Sequence, residues 1–196
     1  MKLLMIKKII QEFKQFLNFF VTYFPGGLGN MLRRLVYKIR LNSLGKELNT
    51  EIGFKLTCPI NITIGNNASF MRMCSLNSCE GKIIIGNNIS VNQNVDINAS
   101  NGGLIHIGND VLIGNNVVIR AANHIYNNKS QKINESGHNG GQIIIGNNVW
   151  IGANCVILPN VTLKRGSVIG AGTVVKKNVD SNELAISNKQ VNKKYL

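Results

Sequence analysis

This 196-residue chain is poor in several residue types, and each shortage excludes a class of protein. It contains three prolines, four cysteines, one tryptophan and only 6% aromatic residues. No uncharged apolar run reaches roughly 18 residues, so we expect no transmembrane helix. The hydrophobic fraction of 44% is too high for a disordered chain, and the length suits one domain of ordinary size.

Acidic residues are also scarce, with nine against 22 basic residues and a net charge of +13. Such an excess can indicate a nucleic-acid-binding protein. Here, however, much of the charge lies in the terminal segments, and basic and aromatic residues do not alternate. We therefore predict no nucleic-acid partner.

The cysteines lack the spacing of a zinc ribbon. The apolar N-terminus is interrupted by Lys7, Lys8, Glu12 and Lys14 and has no small-residue cleavage site, so it does not resemble a signal peptide. These features predict a cytoplasmic protein whose thiols are reduced.

What the chain has in abundance is a repeated phrase. Ile-Gly-Asn, followed by a second Asn or an Asp, begins at Ile64, Ile85, Ile107, Ile113 and Ile145. Within each block the period is six, with two apolar or small positions per repeat, which fits neither an amphipathic helix nor an alternating strand. It indicates short strands that turn a corner every six residues, with three strands closing a triangular coil and coils stacking about 4.8 Å apart. Gly and Asn suit such corners because both tolerate left-handed backbone angles.

The period predicts which side chains point inward. The first set comprises the residues at 52, 58, 64, 70 and 76, at 85, 91 and 97, at 107, 113, 119 and 125, and at 145, 151, 157, 163, 169 and 175. A smaller residue follows four positions later in most repeats. Cys74 and Cys155 occupy that small position and Cys58 the larger one, so we interpret all three as core residues. Cys79, where the phase shifts, is also interpreted as structural.

The longest break in the repeat predicts a projecting loop at 125–142, because the segment is polar, Gly-rich and aperiodic. We divide the chain into an N-terminal helical segment (1–48), a β-helix (49–180) and a basic tail (181–196). Apolar residues at helical spacing run to Phe24, Pro25-Gly-Gly breaks this helix, and a second helix follows from Leu28 to Leu41. Two interpretations stay open: a cap over the end of the β-helix, which we favour, and a basic anchor (1–41) on an anionic membrane surface.

Two outward residues are candidates for chemistry. His124 lies five residues after Ile119, where the long loop begins, and Trp150 lies five residues after Ile145. Both positions point away from the core, and an outward Trp commonly covers a ligand or a partner. His106 and His138 carry weaker signals.

The repeat resembles that of the hexapeptide family over residues 52–180, which implies a left-handed β-helix. The phrase from Ile145 to Leu163, with its Trp150, and the phrase from Val168 to Lys177 resemble the xenobiotic and sugar O-acetyltransferase branch. The helices and the stretch from Pro25 to Arg33 look most like surface-polysaccharide O-acetyltransferases.

This resemblance implies a homotrimer with acetyl-CoA as donor, no metal, and a glycan or sugar acceptor. It makes His124 the catalytic base that activates a hydroxyl for direct attack, with no acyl-enzyme. It places coenzyme A against Trp150 and the backbone of Ala153 and Ala171, with Lys176 and Lys177 near its phosphates. The acceptor would contact two residues one coil before His124, namely Asn94 and Asp96. The tail after Val179 lacks the family's proline.

Three alternatives stay open. One is an acetyltransferase with a small acceptor such as serine or a nucleotide amino sugar. A γ-class carbonic anhydrase shares the fold but needs three histidines on one zinc, and the three present lack its spacing. The third alternative is a non-catalytic hexapeptide scaffold, which would not explain the arrangement of His124, the long loop and Trp150.

Overall fold

The computed structural model describes the backbone of residues 2–186 and 193–194 and the side chains of residues 5–186. Two helices come first, α1 (Lys2–Tyr23) and α2 (Gly26–Arg40). Short strands then wind into a parallel β-helix of triangular section, as the six-residue period predicts. Much of the segment 187–196, to which most of the predicted basic tail belongs, lies outside the described residues.

Each side of the prism is one parallel sheet. Face A contains β1 (Ser43–Leu44), β4 (Ile62–Ile64), β7 (Lys82–Ile85), β10 (Leu104–Ile107), β15 (Gln142–Ile145) and β18 (Val161–Leu163). Face B contains β2 (Leu48–Thr50), β5 (Ala68–Phe70), β8 (Ile89–Val91), β11 (Leu112–Ile113), β16 (Trp150–Ile151), β19 (Val168–Ile169) and β21 (Glu183–Ala185), with β22 (Lys193–Lys194) antiparallel at its end. Face C contains β3 (Lys55–Thr57), β6 (Ser75–Asn77), β9 (Asp96–Asn98), β12 (Val118–Arg120), β17 (Val156–Ile157) and β20 (Val174–Val175).

Identical positions of successive coils stack inside the prism. Ile83, Ile105 and Ile143, for example, are register partners on three adjacent strands of face A, and all three are fully buried. The predicted inward residues from 64 to 119 and from 145 to 175 are all buried, so the period locates the core correctly there. Ile125, at the end of the third block, is not buried: it lies half-buried beyond the last strand of its coil.

The first coil corrects the sequence prediction. Its core residues are Leu48 and Phe54, whereas Ile52 is only half-buried. Cys58 has a left-handed backbone (φ +53°) and so turns a corner instead of pointing inward. The predicted phase fails here because no Ile-Gly-Asn phrase marks the corners of this coil.

Cys58 forms a disulfide with Cys79, which lies 21 residues later at a Cα–Cα distance of 5.1 Å. The expectation of reduced thiols is therefore wrong for this pair, because one full coil of chain brings the corner at Cys58 next to the corner at 78–80 that contains Cys79. Cys74 and Cys155 are free and buried, as predicted for core residues. Burial raises the pKa of both thiols, so they stay protonated at neutral pH.

Helix α2 covers the open end of the prism. The Tyr37 ring packs edge-on against Phe54, its hydroxyl donates to the Phe54 carbonyl at 2.9 Å, and burial raises the pKa of Tyr37 to about 12. The buried Arg33 side chain donates to the carbonyls of Thr50 (2.8 Å) and Phe24 (2.8 Å). Arg33 thereby ties the end of α1, helix α2 and the first coil together.

Candidate active site

Three edges join the faces of the prism, and they differ in how their backbone is hydrogen-bonded. The A–B edge is built from corners at 65–67, 86–88, 108–110 and 146–148. The B–C edge is built from corners at 92–94, 114–116, 152–154 and 170–172. The C–A edge includes the corners at 78–80, 100–102, 158–160 and 176–178, and the long loop leaves the prism from this edge.

The A–B edge is closed by a ladder of asparagine side chains. The backbone N–H of Asn66 donates to Oδ1 of Asn87, that of Asn87 to Asn109, and that of Asn109 to Asn147, each at 2.8 Å. Each asparagine therefore satisfies the exposed amide of the coil before it. This is the physical reason for the Ile-Gly-Asn phrase at these corners.

The B–C edge breaks that ladder. Alanines stand at 153 and 171, where the A–B edge has asparagine, and a methyl group accepts no hydrogen bond. Within the described part of the chain, the backbone N–H groups of Asn115 and Ala153 have no hydrogen-bond acceptor. They remain available to a ligand that presents a carbonyl oxygen.

A groove of about 460 Å³ lies along this edge. Trp150 borders it with 55% of its surface exposed, next to its register partner Val168 on face B. The groove is lined by Ala153 and Ala171, among other residues from five successive coils. A Cβ on Gly152 would lie 2.7 Å from the Ala171 nitrogen, so glycine is needed for the coils to stack this closely. The structure thus brings together Trp150, Ala153 and Ala171, as the resemblance implies.

His124 lies on a β-hairpin that projects from the C–A edge. The hairpin consists of β13 (Ala122–His124) and β14 (His138–Gly140), which pair antiparallel with His124 opposite His138. Its base is fixed to the prism, because the N–H of Gly141 donates to the Ala121 carbonyl at 2.7 Å. The rigid base holds an otherwise polar loop in a defined direction.

The two imidazole rings of this hairpin stack. Their centroids are 4.0 Å apart with an interplanar angle of 38°, and His124 is exposed whereas His138 is half-buried. Among the described residues, no side chain forms a hydrogen bond or an ion pair with His124. The His138 ring is therefore the side chain that restricts the plane of the His124 imidazole. Sequence reasoning missed this pairing because the loop is aperiodic.

The remaining predicted residues lie elsewhere. Asn94 has a left-handed backbone at the B–C edge and begins a second amide ladder, donating to Asn116 at 2.9 Å. Asp96 lies on face C and accepts a hydrogen bond from Ser75. Lys176 and Lys177 are exposed at the C–A edge, two coils beyond His124 and across face C from the Trp150 groove. Within one protomer, the lysines therefore share an edge with His124 and not with the groove.

The carbonic anhydrase alternative requires a zinc site. In the described region, no group of three His, Cys, Asp or Glu side chains is placed to hold a metal ion. His106 is exposed on face A, whereas the other two histidines project on the hairpin. Nor is any helix of the described segment long and apolar enough to cross a membrane.

Comparison with known proteins agrees with the repeat. Residues 142–177 match the bacterial transferase hexapeptide family (six repeats). A Schizosaccharomyces pombe protein assigned as an acetyltransferase is 44% identical over 85 residues, covering 43% of this chain. The same match covers 40% of the yeast protein, so the chain spans less than half the length of this relative.

Solved structures show the same fold. AntD, an N-acyltransferase from Bacillus cereus, was solved with dTDP-4-amino-4,6-dideoxyglucose and coenzyme A; it is 22% identical with a TM-score of 0.70, covering 83% of this chain and 88% of its own. A maltose O-acetyltransferase from Clostridium difficile is 28% identical with a TM-score of 0.57, covering 85% and 75%. A galactoside acetyltransferase in complex with coenzyme A is 26% identical with a TM-score of 0.61, covering 88% and 74%.

The six-residue repeat and these similarities define the fold of the chain. Its fold is the left-handed parallel β-helix found in acyltransferases that bind coenzyme A, with two helices placed before it. The left hand, which the period alone does not predict, follows from this likeness.

Proposed function

We propose that this protein is an acetyl-CoA-dependent O-acetyltransferase that modifies a sugar hydroxyl of a surface polysaccharide or of its precursor. The observation that carries the proposal is the groove beside Trp150, where the backbone N–H groups of Asn115 and Ala153 have no acceptor among the described residues. The pantetheine arm of coenzyme A is a chain of amides, whose carbonyls suit these donors. The galactoside acetyltransferase of the same fold, which was crystallised with coenzyme A, supports this choice of donor.

His124 supplies the chemistry. Its neutral imidazole takes the proton of the sugar hydroxyl as the oxygen attacks the thioester carbonyl carbon. The tetrahedral intermediate then collapses, the carbon–sulfur bond breaks, and the imidazolium returns the proton to the thiolate of coenzyme A. No acyl-enzyme forms, in keeping with the two free cysteines, which are buried and protonated.

The site requires more than one copy of the chain. His124 projects from the C–A edge and the groove follows the B–C edge, so the two lie at opposite borders of face C. In a trimer, the hairpin of one copy faces the groove of the next, and closed threefold symmetry repeats the site three times. Lys176 and Lys177 would then come beside the neighbour's groove, where they can attract coenzyme A phosphates.

The choice of acceptor is argued from proteins of the same fold. The names of the maltose and galactoside acetyltransferases indicate sugar acceptors, and both enzymes are more than 25% identical to this chain. A nucleotide amino sugar is the second candidate, since AntD has this fold and was solved with one. Asn94 and Asp96 are proposed acceptor contacts, although both already form hydrogen bonds within the prism.

The test is to incubate the purified protein with radiolabelled acetyl-CoA and a panel of glycans, free sugars and nucleotide amino sugars. The proposal predicts label on a glycan hydroxyl and equal release of free thiol. Transfer to an amine alone would favour the second candidate, and the absence of transfer to any acceptor would contradict both.

A complementation experiment tests the shared site. We expect His124→Ala subunits alone to lack the catalytic base on the hairpin, and Ala171→Asn subunits alone to have an impaired groove for coenzyme A. If the site lies between copies, refolding them together restores part of the activity, because some interfaces combine an intact hairpin with an intact groove. Mixtures that stay as inactive as their parents would place the whole site in one protomer.

A further inference from the structure

The two helices carry an unusual concentration of exposed apolar surface. Of the 23 large hydrophobic residues that are exposed in the described chain, 14 belong to α1 and α2. Ten are on α1: Met5, Ile6, Ile9, Ile10, Phe13, Phe16, Leu17, Phe19, Phe20 and Tyr23. Soluble monomers rarely expose so large a contiguous apolar patch unless something covers it.

These ten residues form one side of α1, which we call the apolar face. At about 100° per residue, they occupy roughly half of the helix circumference. The other half is polar, with Gln11 near its centre and Gln15 between that centre and Lys8. The seam of a helix pair needs only a narrow stripe, whereas this face is several side chains wide.

Charges border the apolar face in a defined pattern. Lys8 lies along one border and Lys14 near the other, whereas Lys7 lies closer to the middle of the polar side. Glu12 lies inside the apolar face, close to the border marked by Lys8. Within residues 2–40 the chain has eight basic residues, and Glu12 is the sole acidic one. Lysines at the borders can extend their ammonium groups outward while their stems stay on apolar material.

Helix α2 extends the same surface. Its buried side, with Arg33 and Tyr37, faces the prism, and its outward side exposes a stripe formed by Leu28, Met31, Leu35 and Ile39. The exposed Arg34 and Lys38 lie next to this stripe. Between the helices runs an apolar groove of about 580 Å³, lined from both sides by residues that include Leu17, Phe20 and Val36.

We infer that this surface docks onto an anionic lipid bilayer, with α1 lying in the plane of the interface. A half-circumference apolar face with cationic borders is the pattern of interfacial helices, and anionic headgroups complement its charge. A second copy of the chain would instead bring positive charge against positive charge. Neither helix is long and apolar enough to cross the membrane.

The attachment is rigid at the end of α1 that meets the prism. Arg33 holds the carbonyls of Val21 (3.3 Å) and Phe24 (2.8 Å), and Arg40 donates to Asn18 at 2.8 Å. A docked helix pair therefore fixes the N-terminal end of the prism toward the lipid. The hairpin of His124 follows three coils later, about 15 Å along the axis at 4.8 Å per coil. If the proposed function holds, this height suits an acceptor anchored in the same membrane.

The experiment measures co-sedimentation of the full chain with phosphatidylcholine vesicles, with and without phosphatidylglycerol. Phe13→Glu/Phe16→Glu adds two negative charges to the apolar face, and Gln11→Glu/Gln15→Glu adds the same two charges to the polar face. We expect wild type to bind anionic vesicles, the Phe variant to bind at least about tenfold more weakly, and the Gln variant to lose less. Binding should also weaken as salt rises, because charges are screened over about 10 Å at 0.1 M and about 3 Å at 1 M.

Circular dichroism and acetyl transfer to a soluble acceptor serve as controls for folding. Lys8→Gln/Lys14→Gln, which leaves the apolar face intact, should lose the preference for anionic over neutral vesicles. Wild type that ignores anionic vesicles at low salt would overturn the inference, as would equal losses in the Phe and Gln variants. If wild type ignores vesicles and the Phe variant changes the mass by light scattering, the face joins copies of the chain instead. None of these results decides whether the protein transfers acetyl groups, because that proposal is tested by a separate assay.

Discussion

The A–B and B–C edges of the prism are made from the same six-residue repeat, yet one is sealed and the other is open. At the A–B edge, asparagines at 66, 87, 109 and 147 accept the N–H groups of neighbouring coils. At the B–C edge, Ala153 and Ala171 occupy the equivalent corners, and the amides of Asn115 and Ala153 have no acceptor in the described residues.

The comparison teaches that alanine in place of asparagine at two successive corners, 153 and 171, leaves backbone N–H groups open to a ligand without changing the fold. The fold itself is unchanged, since the core residues Ile151 and Ile169 and the corner glycines continue the repeat on both sides. The C–A edge differs in another way, because a hairpin replaces a whole corner. If the proposed function holds, the A–B edge is structural, the B–C edge binds the donor and the C–A edge is catalytic.

The largest expected effect is at the catalytic edge. His124→Ala should lower turnover about 10²–10⁴-fold, because the hydroxyl then loses its general base. The affinity for coenzyme A should change little, since in the proposed site Trp150 and the backbone at Ala153 and Ala171 hold the donor, and the imidazole acts on the acceptor hydroxyl. His106→Ala, which removes an exposed histidine from face A, is the matched control and should retain full turnover; near-normal turnover in the His124 variant would place the base elsewhere.

At the donor-binding edge, Trp150→Ala should raise the KM for acetyl-CoA by about tenfold with little change in melting temperature. The reason is that the indole borders the groove and is 55% exposed, so its removal leaves no core cavity. Steady-state kinetics and thermal melts measure the two effects. A large drop in melting temperature with intact kinetics would instead identify Trp150 as a contact between subunits.

His138 offers a finer test of the catalytic edge. If its ring holds the His124 plane by stacking, His138→Ala should lower kcat by about three- to tenfold, with KM for acetyl-CoA unchanged. His138→Phe keeps a flat ring at the same place and should recover most of that loss. Equal loss in both variants would mean that the nitrogens of His138, and not its ring, are needed.

The smallest effect is expected at the sealed edge. Asn109→Ala removes the acceptor of the Asn87 N–H and should cost about 1 kcal/mol in the free energy of unfolding. Neither kcat nor KM should change, because the proposed donor and catalytic sites lie on the other two edges. A kinetic defect as large as that of Trp150→Ala would show that the two edges do not have separate roles.

Much of this architecture could be predicted from the sequence because the same residue types recur at the same positions of each six-residue repeat. The core residues from Ile64 onward follow from the period alone, and Trp150 and His124 follow from their outward phase. The core of the first coil was not predicted, because no Ile-Gly-Asn phrase follows Leu48 or Phe54. The wrong phase placed Cys58 in the core, so its disulfide with Cys79 was not predicted either. The sequence does show asparagine at 147 and alanine at the next corner, 153. The effect of this difference on the backbone N–H groups can be recognised only once the stacking of neighbouring coils is known.

The most direct test of the edge account is to measure coenzyme A binding by isothermal titration calorimetry to wild type, His124→Ala and Ala171→Asn. The new asparagine would accept the Ala153 N–H as Asn109 accepts that of Asn87, and so seal the donor-binding edge. We predict wild-type affinity for His124→Ala and about tenfold weaker binding for Ala171→Asn, which corresponds to the loss of one hydrogen bond. Unchanged binding in Ala171→Asn, with the weaker binding found in His124→Ala, would contradict the account.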